Sequence, residues 1–154
     1  LRRAAALMSD LGWAEHPDYR AEHAFLRVLR LPVAGMDHAE RVFLAATIHG
    51  RYGGSMRALL DDPVMTLMGP EDRDRANALG AALRLGHTLT GGAVELLERT
   101  RLMLTATEVV LLLAPHVAAL SGDVVERRLA TLSRHLGREG RIVVDAGEDA
   151  VVGL

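Results

Sequence analysis

The sequence predicts an α+β protein, mostly α: a helical bundle followed by a small β-β-α-β unit. Three observations carry this. Apolar residues recur at three- and four-residue spacing through the first ninety or so positions, the mark of amphipathic helices. Beyond Gly91-Gly92 the periodicity gives way to short runs rich in Leu and Val. Finally, 154 residues at 49% hydrophobic content with no cysteine can bury roughly 70% of the unfolded surface, so no disulfide framework is needed. The expected organisation is a bundle over residues 1–92 and a β-β-α-β unit over 93–154, packed as one compact domain.

The elements follow in order. Leu1, Ala4, Ala5, Leu7, Met8 and Leu11 form one helical stripe, with Gly12 expected as its left-handed cap. His16-Pro17-Asp18 is a turn, and Asp18 is placed to cap a second helix with Ala21, Phe25, Val28 and Leu29 inward. Pro32 and Gly35 stop it. Asp37 with Glu40 three positions later has capping-box spacing, and Val42, Phe43, Ala46 and Ile48 give the third helix its buried face. Gly50, Gly53 and Gly54 end it. Ser55 caps a short turn to Leu60, and Asp62-Pro63 sets a capping acceptor before a proline at the first helical position. After Gly69-Pro70, the acids Glu71, Asp72 and Asp74 suit the start of a longer helix through Ala76, Leu79, Leu83 and Leu89, closed by Gly91-Gly92. Residues 98–104 and 109–113 then read as a β-hairpin around Thr105–Glu108. Ser121 or Asp123 caps a helix with Val124, Val125, Leu129, Leu132 and Leu136 on one side, Gly137 ends it, and Ile142-Val143-Val144 is a final strand.

Charge narrows the function classes. Eighteen basic residues against 20 acidic give −2, and every basic residue is arginine. A near-neutral chain is not built for wholesale capture of nucleic acid or a membrane surface. The arginines leave room for local anion forks, since guanidinium pairs bidentately with phosphate; a GC-rich genome gives the same bias. The stretch Val109–Leu120 is broken by Pro115 and His116 and falls short of the roughly 20 residues of a membrane span. No export signal is visible and no initiating Met is present, so a fragment of a longer cytoplasmic protein is expected.

Chemistry-bearing residues are few. His16, His23, His49 and His87, with Asp10, could supply donors to a metal, or serve as capping and half-buried imidazoles. His38, His116 and His135 read as structural or solvated. His49-Gly50-Arg51-Tyr52-Gly53-Gly54-Ser55 is the best anion-binding segment, because glycines let backbone amides approach an oxyanion. It lacks the P-loop lysine and a preceding strand, and a plain interhelical connection explains it too. Asp61-Asp62 and Glu71-Asp72-Asp74 are helix-start acids. Trp13 beside Gly12 is expected to be a packing plug.

The order of these pieces resembles the C-terminal domain of the exopolyphosphatase and guanosine pentaphosphate phosphohydrolase family (Ppx/GppA): Leu7-Met8-Ser9-Asp10-Leu11-Gly12, then Gly35-Met36-Asp37-His38-Ala39-Glu40-Arg41 opening a helix, His49-Gly50-Arg51 at its end, and Leu83-Arg84-Leu85-Gly86-His87-Thr88-Leu89. The similarity spans nearly the whole chain. It implies an HD-like bundle whose metal ligands are degenerate, since Ser9-Asp10 stands where the family pattern has His-Asp and His87 stands at the later acid; Asp10 and His87 are the remnants. It further implies that hydrolysis, with Mg²⁺, belongs to N-terminal actin-like lobes, and that this domain helps to grip polyphosphate and to form a homodimer. No cofactor is then expected in these residues, and no nucleic-acid or membrane partner. Arg20, Arg51, Arg57 and Arg84, with His23 and His49 as added donors, are the expected polyphosphate contacts, each equally readable as a solvated surface group. The alternative is a metal-dependent nucleotide phosphohydrolase of HD type with a rearranged site drawn from Asp10, His16, His23, His49 and His87. A plain oligomerisation module with an exposed apolar strand or helix face is a third reading.

Overall fold

A computed structural model describes residues 1–144. The described residues are mostly helical with one three-stranded sheet, as the periodicity predicts. The chain divides into two compact units, 1–84 and 85–154, and the junction lies inside a helix.

The first unit is organised by α3, His38–Arg51. Asp37 accepts from the Glu40 amide at 2.8 Å while Glu40 Oε2 accepts from the Asp37 amide at 3.1 Å, completing the capping box the spacing predicts. Every residue from Val42 to His49 is buried, so α3 is packed around its circumference. Helices α1, Arg2–Leu7, and α2, Arg20–Leu29, supply Ala5, Ala24, Phe25 and Val28 to that core. Ser55 caps α4, Met56–Leu59, and Asp62 caps a 3₁₀ turn, Pro63–Leu67. The helix α5, Pro70–Thr90, begins at the proline after Gly69 and ends at Gly91 and Gly92, both with positive φ.

Several expectations are corrected here. The first helix stops at Leu7, and Gly12 is not among the left-handed glycines; a Cβ there would sit 3.0 Å from the Tyr52 ring and 3.1 Å from the Ala24 Cβ, so glycine is needed for close approach. Asp18 does not cap α2. Tyr19 holds the cap position without a side-chain bond, while the Asp18 amide is drawn to His16 Nδ1. Trp13 is no plug, being 73% exposed; the Tyr52 ring is what fills the space against Gly12.

In the second unit, α6, Val94–Glu98, occupies residues that a short apolar run leaves ambiguous between helix and strand. The strand β1 therefore starts at Thr100 and runs to Leu104, antiparallel to β2, Glu108–Leu113. A 3₁₀ turn, Pro115–Leu120, leads to α7, Asp123–His135, and then to β3, Glu139–Val144, parallel to β2. Neither Ser121 nor Asp123 caps α7; Gly122 is at the cap without a side-chain bond. Val125, Leu129 and Leu132 are buried, and α7 packs on β3 and β2. Among the described residues no helix is long and apolar enough to cross a membrane.

Candidate functional site

The first unit gathers several of the expected residues around the C-terminal end of α3. The hub is Tyr52, the residue that closes that helix. Its hydroxyl accepts a hydrogen bond from the Gly12 amide at 3.0 Å. The Arg51 guanidinium lies 4.6 Å from the ring centroid and the Arg20 guanidinium 5.8 Å, both within cation–π range. Two positive groups are thereby held against one aromatic ring, at the helix end whose free carbonyls favour cations.

Each guanidinium has a distinct setting. Arg51 is 6% exposed; its Nη2 donates to Asp10 Oδ1 at 3.2 Å, while its buried Nε has no hydrogen-bond partner. Asp10, the remnant acid, is thus tied to an arginine. Arg20 donates from Nε and Nη2 to the Glu15 carbonyl at 3.0 and 2.8 Å, which fixes the fork as it leaves α2. Gly53 has φ of +89°, and a side chain at this position would run into the Arg84 guanidinium. Glycine is required twice over at this position, for its backbone conformation and for the approach of Arg84. Gly54 plays the same spatial role for His49, whose imidazole would overlap a Cβ there.

His49 is 3% exposed and meets the Phe25 ring edge-on at 6.1 Å. Burial pushes its pKa below the ordinary value, and the nearby Glu22 carboxylate offsets only part of that. It is a neutral packing imidazole. His23 stands exposed on α2, with Nδ1 3.0 Å from Glu15 Oε2, and stacks on Tyr19 at 6.1 Å. Glu15 also receives Arg27 at 3.1 Å; the His23 bond first, then the charges of His23 and Arg27, hold its carboxyl below the usual range. Arg57 is exposed on α4 beside the Ser55 cap. His16 is exposed near Asp18, and His87 is exposed on the part of α5 that belongs to the second unit.

The structure thus brings Arg20, Arg51, Arg84 and His49 to one region and leaves His23 and Arg57 on the neighbouring surfaces of α2 and α4. Sequence reasoning missed the organising roles of Tyr52 and Glu15, because their partners Gly12 and Arg27 lie 40 and 12 residues away. The alternative metal site needs donors that converge. Among the described residues no group of three or more His, Cys, Asp or Glu could hold a metal ion.

Residues 1–143 match the family described as "Exopolyphosphatase, C-terminal". No curated protein matches the chain.

Proposed function

The chain belongs to the exopolyphosphatase C-terminal domain family, and from that premise we propose that it is an accessory, non-catalytic domain that grips polyphosphate and pairs with a second copy. In this reading a cytoplasmic parent hydrolase cuts the terminal phosphoanhydride in N-terminal actin-like lobes, where Mg²⁺ is used. The observation that supports polyphosphate gripping is the gathering of guanidinium groups at Gly50–Gly54, with Arg20 and Arg51 sharing the Tyr52 ring and Arg84 against Gly53.

A polyanion with about one charge per phosphate binds to spaced cations by releasing condensed counterions. In this reading Arg20, Arg57, Arg84 and His23 meet it from the surface. Arg51 and His49, being buried, hold the segment from beneath. The helix end itself presents carbonyls, which repel phosphate, so the site depends on its arginines. No nucleic-acid contact is proposed.

Calorimetric titration of the chain with long-chain polyphosphate tests this. Arg20→Gln and Arg84→Gln are each expected to weaken binding several-fold, with orthophosphate binding far more weakly than the polymer. Undiminished binding by the double variant overturns the site, and release of orthophosphate from polyphosphate by this chain with Mg²⁺ overturns the non-catalytic role.

A further inference from the structure

The second unit carries an exposed sheet edge that the polyphosphate reading does not use. In the β2 strand only Glu108 and Leu112 are not fully buried, whereas in β1 every residue after Thr100 is exposed. Leu102 and Leu104 project to one face and Met103 to the other. The neighbouring helix α6 adds exposed Val94 and Leu97.

The backbone of β1 is equally open. In the three-strand order β1-β2-β3 it has a partner on one side only among the described residues. The Thr105 amide donates to the Glu108 carbonyl at 2.9 Å, and the Ala114 amide to the Arg99 carbonyl at 3.1 Å. Given the β1–β2 register, the alternation of an antiparallel ladder then turns the peptide groups of Arg101 and Met103 toward β2. Those of Thr100, Leu102 and Leu104 point outward. Such an edge is usually blunted by charged side chains, proline or a bulge; Thr100-Arg101-Leu102-Met103-Leu104 has no proline, and its one charge, Arg101, lies to one side of the Leu102–Leu104 strip.

We propose that β1 pairs antiparallel with β1 of a second copy, joining two three-stranded sheets edge to edge about a two-fold axis at Met103. A two-fold contact sets the same patch against itself, so the patch must be self-complementary. This one is in its apolar part: the exposed Leu102-Met103-Leu104 strip carries no charge, so it can be set against its own copy without opposing like charges. With the axis at Met103, Leu102 lies opposite the partner's Leu104, both with outward peptide groups, and Arg101 lies opposite the partner's Thr105. An axis at Leu102 would instead bring the two copies of Arg101 diagonally together, which like charges disfavour.

The inference rests on the self-association in the proposed function and not on polyphosphate binding. Sedimentation velocity over a range of concentrations, on the whole chain, tests it. The wild-type chain is expected to dimerise. Leu104→Pro removes an outward N–H that bonds nothing within the sheet, so it is expected to give a monomer with unchanged helical content and unchanged polyphosphate binding. The chain has no cysteine, so the thiol of Met103→Cys can pair only with another copy. Directly opposed residues of a non-hydrogen-bonded pair have Cα atoms about 4.5 Å apart, within disulfide reach. Mild oxidation is expected to give a covalent dimer for Met103→Cys and not for Val124→Cys on exposed α7. A dimeric Leu104→Pro chain, or Met103→Cys that stays uncrosslinked while the wild type is dimeric, overturns the β1 interface and leaves self-association standing. A wild-type chain that is monomeric throughout overturns both, whatever it does with polyphosphate.

Discussion

Replacing Gly80 by alanine should destabilise the first unit even though alanine is the better helix former. In α5 a Cβ at Gly80 would lie 2.7 Å from the Thr47 carbonyl oxygen, 3.1 Å from the Arg51 amide nitrogen and 3.1 Å from the Gly50 carbonyl carbon. All three are backbone atoms of α3, so nothing can swing aside and the helices must separate. Overpacking of this kind costs about 1–3 kcal/mol, here about 2–3 because the 2.7 Å contact is with backbone that cannot swing aside, and alanine returns about 1 kcal/mol of helix propensity, leaving a net loss of roughly 1–2 kcal/mol. For a chain of this length each kcal/mol moves the midpoint by about 2–4 °C, so thermal unfolding by circular dichroism should show a fall of about 2–8 °C. Gly50→Ala is the matched control. Its Cβ would meet only the Gly80 Cα, at 3.7 Å, an ordinary contact, so its midpoint should rise. An unchanged or higher midpoint for Gly80→Ala, or an equal fall for Gly50→Ala, would refute the argument that the α3–α5 approach requires glycine at position 80.

Tyr52→Phe removes the acceptor of the Gly12 amide, which should cost about 1–3 kcal/mol and lower the urea midpoint; an unaltered midpoint would show that the hydroxyl does not hold residues 8–15 in place. His49 has a folded pKa below the ordinary 6.5, so between those values the unfolded chain takes up a proton that the folded chain refuses. Stability is therefore expected to fall as pH drops below about 6.5, and His49→Gln should flatten that part of the urea-midpoint profile against pH. Gly140→Ala would place a Cβ 2.7 Å from Ser133 Oγ and 3.2 Å from Leu129 Cγ. It should lower the thermal midpoint, and adding Ser133→Ala should restore part of the loss; strict additivity in that cycle would mean the two sites do not touch.

The fold was legible where a local signal sufficed. Asp37 with Glu40, Asp62 before Pro63, and the Gly91-Gly92 stop each act within four residues, and each appears as read. The signal failed for Asp18, whose carboxylate lies 3.7 Å from His16 Nδ1 and makes no cap bond to α2, for Ser121, whose hydroxyl donates back to the Ala118 carbonyl, and for Val94–Glu98, five residues too short to declare a period. The site was half legible. Arginines near a glycine-rich segment could be named, but what arranges them joins Gly12 to Tyr52 and Asp10 to Arg51 across 40 and 41 residues. No spacing rule reaches that far. Burial was the other blind spot: His49 looks like a donor in the sequence and is packed away, while Trp13 looks like core and is on the surface.

The salt dependence of polyphosphate affinity tests the central claim most directly. If three or four cationic side chains of the first unit neutralise phosphates, log K should fall linearly with log salt concentration with a slope of about −2 to −3, by the behaviour of single-stranded polyanions, and Arg84→Gln should make that slope shallower by roughly 0.7. An affinity that stays flat from low to high salt would contradict the account.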